Sequence, residues 1–489
     1  MPEHQDRPQN AVSRRDFLKI AGVSGAAIGL GGGLGGLLAA CGDDEETTTT
    51  AGATETTAGG TETTAGGTET TAGGTETTTS AEMGREVKIG FVTPLTGALA
   101  SFGVPDKYCV ERAEEAIGDG MVLGDGMMHP ITIITMDSQS DSNRAAQVTG
   151  DLINNDQCDV ITAASTPDTV APVADQAEAL STPCITNDCP WQPYVGSRAA
   201  GDLTATFQWT YHTFWGLEDV QANFLDMWGQ VPNNGVVAAM FPNDADGNAW
   251  QPGWLPVWEP AGLTAVDPGL YQNFTEDYTA QLTEFKNAGC EIGMGVFLPP
   301  DFTNFWKQAA QQGWTPKVGS YAKALLFPES IEALGEIGDG LTTEVWWTPA
   351  HPFTSALLGE TCQQFADEFT ARNNGAQWTQ PLLHFIVFEM ALDSLQRSTN
   401  IDDKQTIIDA VKTTKLETIG GLIDFTAPVE PPGPPFTVGP CHIVENVYKT
   451  PLVGGQWRTG TEYPFELTIV SNAAAPIIPT QDTVQPLAG

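Results

Sequence analysis

Val87-Lys-Ile-Gly-Phe-Val-Thr-Pro-Leu-Thr-Gly97 opens with a run dominated by β-branched and apolar residues and ends in a Pro-Leu-Thr-Gly turn, the pattern of a buried strand feeding a loop. A segment of helical period through Tyr108 to Ile117 follows it. The alternation then repeats. Ile131 to Met136 and Asp159 to Ala163 read as the second and third strands, and Cys184-Ile-Thr186 as a fourth. Between them, Ala145, Val148, Thr149 and Leu152 share one helix face, and Val170, Val173, Ala177 and Leu180 share another. A second series starts after Trp209, with strands at Gly235 to Phe241 and Ile292 to Phe297. The helix between these carries Tyr278, Leu282, Phe285 and Ala288, and the next carries Phe302, Phe305, Trp306, Ala309 and Ala310. Helices near Cys362 to Arg372, Leu382 to Gln396 and Lys404 to Val411 come later, followed by a proline-rich stretch and a strand-like run from His442 to Tyr448. Strands alternating with helices predict an α/β protein with parallel sheets, and two such series predict two lobes with a cleft between them.

Upstream of Val87 the composition changes. Residues 42–82 consist largely of Thr, Glu, Ala and Gly, with Thr-Glu-Thr-Thr-Ala-Gly-Gly repeated at Thr54, Thr61 and Thr68 and degraded at Thr75. The repeat has no large apolar residue and so cannot offset chain entropy; it reads as a disordered tether spanning on the order of 35 Å. Before it, Arg14-Arg15-Asp-Phe-Leu-Lys19 resembles a twin-arginine export signal, and Leu38-Ala-Ala-Cys41 resembles a lipoprotein cleavage site. The alternative is a transmembrane anchor over residues 20–40, but eight of those 21 residues are Gly. Acylation of Cys41 would hold the mature protein on a membrane without spanning it.

The formal net charge of −40 at pH 7 argues against nucleic acid and against an anionic membrane face as the main partner. Besides Cys41 there are seven cysteines, Cys109, Cys158, Cys184, Cys189, Cys290, Cys362 and Cys441, so at least one is unpaired if the others bridge. None has Cys-x-x-Cys spacing, and most read as buried small residues.

These landmarks resemble the extracytoplasmic solute-binding proteins of branched-chain amino acid and amide ABC transporters, leucine-binding-protein-like members of the type I periplasmic-binding fold. The resemblance is carried by Val87 to Gly97 with Phe102-Gly103, by Val160-Ile-Thr-Ala-Ala-Ser-Thr166 through Ala171-Pro-Val173, by Leu180-Ser-Thr-Pro-Cys-Ile-Thr186 and by Phe285-Lys-Asn-Ala-Gly289. It implies two Rossmann-like lobes with parallel-sheet cores, joined by crossovers and closing by hinge motion around a solute. The expected lobes are residues 87–206 with 343–423, and 207–342 with 424–470; residues 1–40 form the signal, 41–84 the lipidated cysteine and tether, and 471–489 a C-terminal tail. It implies no catalysis and no cofactor, an ABC permease with its ATPase as partners, a monomer, and a location on the outer face of the cytoplasmic membrane.

Ligands of open parallel sheets sit beyond the carboxyl ends of the strands. Ser165 and Thr166 lie there, fitting either an oxygen-binding site or a plain N-cap. The resemblance further places Phe102, Asp188, Cys189 and Asp246 at the cleft; Asp188 also fits an Asn-Asp turn. Two positions depart from the family pattern. Tyr321, in Gly319-Ser-Tyr321, falls where amino-acid binders carry an acidic residue, and Asp246 falls where an aromatic precedes glycine. Either Asp188 or Asp246 supplies the missing charge for an amino acid, or the solute is neutral or anionic. Trp191, Trp209, Trp215, Trp250 and Trp254 are concentrated near the cleft, with Trp250 the strongest candidate for a wall. The Gly31-x-Gly33-x-x-Gly36 match lies in the export signal with no strand ahead of it, and Asn243-Asp-Ala-Asp-Gly247 lacks the spacing of a calcium loop. The expected function is capture of an amino acid, an amide or an aromatic or apolar compound for a permease. The alternatives are an extracellular sensor of the same fold and a secreted hydrolase.

Overall fold

A computed structural model describes residues 81–489 apart from Pro432 and Gly489. The export signal, Cys41 and the repeat segment lie outside these residues. Two seven-stranded sheets organise the chain. The first contains β1 (Val87–Thr93), β2 (Ile131–Asp137), β3 (Val160–Ala164), β4 (Cys184–Asn187) and β5 (Thr210–Thr213), all parallel in the order β2-β1-β3-β4-β5. The second repeats that order as β7-β6-β8-β9-β10, from β6 (Val236–Met240), β7 (Thr264–Val266), β8 (Ile292–Val296), β9 (Val318–Ala322) and β10 (Thr342–Val345). Both sheets therefore reverse direction between their first and third strands. That reversal opens a crevice at the carboxyl ends.

Apolar periodicity explains most of these elements. β1 is buried along almost its whole length, as a strand covered on both faces must be. Helix Ser142–Asn154 buries Ala145, Val148, Thr149 and Leu152, and Pro299–Gln311 buries Phe302, Phe305, Trp306 and Ala309. Helix Thr279–Ala288 stops at Gly289, whose φ of 69° is the left-handed C-terminal position that glycine occupies at little cost. β8 carries Gly293 and Gly295 because aromatic rings cross it: a Cβ on Gly293 would meet the Tyr321 hydroxyl, and one on Gly295 the Phe297 ring.

The sheets move the expected lobe boundaries. β5, beyond residue 206, completes the first sheet, and β10, expected in the first lobe, completes the second. The tail divides as well. β11 (His442–Val444) and β12 (Val447–Tyr448) join the first sheet through β5, while β13 (Val453–Thr459) and β14 (Phe465–Ser471) extend the second. Residues 424–470 thus serve both lobes. Crossovers follow β5, β10 and β12. Beyond residue 470, Ala475 and Ile478 join the apolar core of the second lobe, and the Leu487 N–H donates to the Lys317 carbonyl there at 2.8 Å.

All seven cysteines of the described residues are free thiols, six buried and Cys441 half-buried. They act as small core residues, as their sequence contexts predicted.

Candidate functional site

The carboxyl ends of both sheets face one small cavity, with a volume of about 30 Å³. Phe102, Thr166, Asp188 and Cys189 reach it from the first lobe, Phe214 and Trp215 from the first crossover, and Asp246, Trp250, Lys323, Glu344 and Trp346 from the second lobe and its crossover.

Thr166 stands at the N-terminus of helix Pro167–Ala179, and its hydroxyl does not cap that helix. The hydroxyl is buried with no partner in the protein. Ser165 is also buried with an unpartnered hydroxyl, but it sits one residue back and does not line the cavity.

Asp188 follows β4 with φ at 66°, a backbone region that non-glycine residues rarely occupy. Its carboxylate accepts from His384 Nε2 at 2.6 Å, and His384 Nδ1 donates to Asp106 at 2.7 Å. Asp106 in turn accepts from the Thr93 hydroxyl at the end of β1. Burial pushes Asp188 up to about 7, against the pull of His384. Burial opposes charge on His384 too, yet its bonds to Asp106 and Asp188 raise it to about 9, so near neutrality it is an imidazolium held between two carboxyl groups. Asp188 is therefore more than a turn residue.

Lys323 occupies the corresponding place after β9, the fourth strand of the second sheet, and shares the φ of 66°. Its ammonium donates to Asp246 at 2.7 Å and lies 3.7 Å from Asp244. Its backbone N–H donates to Glu344 at 2.7 Å. Burial raises Asp246 to about 6 and Glu344 to about 7, and the surrounding carboxylates hold Lys323 well above the usual lysine value against its burial. Asp246 keeps one buried carboxylate oxygen without a partner. Asp168, in the first turn of Pro167–Ala179, faces Lys323 and Asp244 from the first lobe.

Of the residues singled out in the sequence, Phe102, Thr166, Asp188, Cys189, Asp246, Trp215 and Trp250 meet at this cavity. Tyr321 does not. It belongs to β9 and points into the core of the second lobe, 4.6 Å from the Phe302 ring, where the side-chain-free Gly293 leaves it room. Trp191 and Trp254 belong to apolar cores, and Trp209 is half-buried against one. The resemblance does not point to Lys323, two residues past Tyr321, which the left-handed turn after β9 brings to the cavity. Glu344 and Trp346 carry no sequence signal, because β10 is too short and polar to read as a buried strand. His384 had no signal, since it is joined to Asp106 across 278 residues of chain.

The periplasmic binding protein family profile matches residues 86–439, and the twin-arginine translocation signal profile matches residues 11–31. Solved structures with the same fold include a leucine binding protein from Thermotoga maritima, with a TM-score of 0.63 at 16% identity, covering 79% of this chain and 99% of that one. A branched-chain amino acid transporter substrate binding protein from Streptococcus pneumoniae, in complex with isoleucine, gives 0.59 at 14% identity and covers 78% and 99%. A solute binding protein of an ABC transporter from Rhodopseudomonas palustris, in complex with 3,4-dihydroxybenzoic acid, gives 0.61 at 16% and covers 80% and 98%. The twin-arginine signal directs this chain to export, and the two-lobed frame with its shared cleft is the type I binding-protein fold. With its profile matched across most of its length, the chain belongs to the periplasmic binding protein family, a family of binding proteins and not of enzymes.

Proposed function

We propose that the protein captures a small organic solute between its lobes and delivers it to an ABC permease, while acylated Cys41 and the Thr/Glu/Gly segment tether it to the outer face of the membrane. One observation carries the reading. Both lobes and the crossovers between them contribute to a single cavity, and four of its lining residues, Thr166, Asp246, Trp215 and Trp250, each have a buried polar atom with no partner in the protein. Buried polar groups left unpaired cost about 1–3 kcal/mol each, which a fitting solute recovers on binding. A solute at about 100 times its dissociation constant adds about 2.7 kcal/mol to stability. A thermal-shift panel of amino acids, amides, amines and aromatic acids should contain at least one stabiliser. Thr166→Ala should weaken that stabiliser's binding roughly tenfold while leaving the unliganded melting temperature within a degree or two, because the hydroxyl makes no internal bond. Unchanged affinity in Thr166→Ala moves the site elsewhere. Cys41→Ser should release the protein from the membrane fraction; retention there removes the anchor.

A further inference from the structure

Five aromatic side chains, Phe102, Phe214, Trp215, Trp250 and Trp346, line the same cavity as three carboxyl groups, Asp188, Asp246 and Glu344. The rings meet at steep angles: Trp215 and Trp250 at 82° with centroids 6.4 Å apart, and Phe214 and Trp346 at 74° and 5.2 Å. Aromatic side chains that enclose a space from several sides can hold a cation there through the negative charge of their ring faces.

The cavity's own cations are already engaged. Lys323 serves Asp246 and Asp244, with Asp168 facing it from the other lobe. His384 spends both ring nitrogens on Asp106 and Asp188. Six carboxyl groups thus surround two resident cations, and Asp246, a lining residue only 3% exposed, keeps one oxygen without a donor. In a buried site this excess of negative groups favours a positive guest and repels an anionic one.

We infer that the solute is a compact organic cation, an ammonium or methylated ammonium head seated between the aromatic walls and Asp246. The inference rests on the reading of this cavity as the solute site. The indole N–H groups of Trp215 and Trp250 and the Thr166 hydroxyl remain for a polar tail on the same molecule. Because burial holds Asp188, Asp246 and Glu344 partly protonated near neutrality, arrival of a positive charge expels protons from this group. Binding should therefore tighten as pH rises from 6 to 8.

The test is calorimetry on the mature protein with methylammonium, tetramethylammonium and choline, set against tert-butanol, acetate and benzoate, in two buffers of different ionisation enthalpy. At least one cation should bind, with proton release and with affinity rising up to about tenfold per pH unit for each proton linked. Asp246→Asn should weaken the cation at least tenfold. Trp250→Phe, which keeps a ring in place but with a weaker quadrupole, should weaken it several-fold without altering the far-UV spectrum. Binding of the neutral or anionic probes with no response to any cation overturns the assignment and leaves solute capture standing. If no member of this set or of the wider thermal-shift panel binds, both readings fall.

Discussion

His384 carries the largest energetic consequence in the site, because it is a buried imidazolium bonded on both sides to buried carboxyl groups. Removing one member of such a group costs about 3–5 kcal/mol, chiefly by leaving the others unpaired. The pH dependence has a definite sign. His384 rises from its ordinary 6.5 to about 9, so the native state holds its proton more tightly than the unfolded chain does. That stability is full below 6.5 and is lost as pH climbs through 9. Asp188 and Glu344, raised to about 7, and Glu389, raised to about 8, act in the same direction from lower pH. His212 and His351 are pushed down to about 3 by burial and act in the opposite direction, but their contribution is complete by about 6.5. Melting temperature should therefore fall between pH 6.5 and 9, and His384→Gln should melt lower at pH 6.5 and show a flatter slope above it. An unchanged slope in the variant would mean that the His384 proton is not what titrates.

At the scale of elements, helix Ala245–Trp258 links the core of the second lobe to the cavity. Trp250, Trp254 and Trp258 recur every fourth residue and are buried, with Trp250 and Trp254 stacked 5.1 Å apart. Pro252 and Pro256 fall on the exposed face, where the carbonyls they leave unbonded can meet water. The first turn is fixed by the Asp244 carboxylate, which accepts from the Gly247 N–H at 2.9 Å, and by the close approach of Gly247 to Pro242. A Cβ at Gly247 would stand 1.7 Å from the Pro242 carbonyl oxygen, so Gly247→Ala must displace backbone. We expect it to cost about 2–3 kcal/mol and to pull Asp246 off Lys323, weakening solute binding more than Trp254→Phe does; urea denaturation and calorimetry on both variants check this. Long apolar stripes such as Phe302, Phe305 and Trp306 were legible because burial writes itself at helical spacing. β5 and β10 were not, because Thr210-Tyr-His-Thr213 and Thr342-Thr-Glu-Val345 are short and polar. Their polar side chains are satisfied by tertiary bonds, such as His212 with Thr186 and the Cys189 carbonyl. The site was legible where resemblance placed a loop at a strand end, as for Thr166 and Asp188. It failed at Tyr321 and Lys323, where one left-handed residue decides which side chain reaches the cavity.

Across the whole molecule, opening must occur at the three crossovers, and these are braced against one another. Lys449, just after β12, donates to Glu218 at 2.7 Å and to Asp219 at 2.9 Å, tying the third crossover to the helix that follows the first. Phe214 and Trp346 tie the first crossover to the second. A braced hinge leaves the degree of closure to contacts across the cleft, where Phe102 of the first lobe meets Phe327 of the second with ring centroids 4.9 Å apart. Phe327 does not line the cavity, so Phe327→Ala removes a closing contact without touching the solute. If closed and open forms exchange, apparent affinity equals the intrinsic value scaled by the closed fraction. Phe327→Ala should then enlarge the radius of gyration of the unliganded protein in solution scattering and weaken apparent binding by the matching factor. Saturating solute should return the radius to the wild-type liganded value. Weaker binding with an unaltered unliganded radius would show that this ring pair shapes the second lobe locally instead of setting the closure equilibrium.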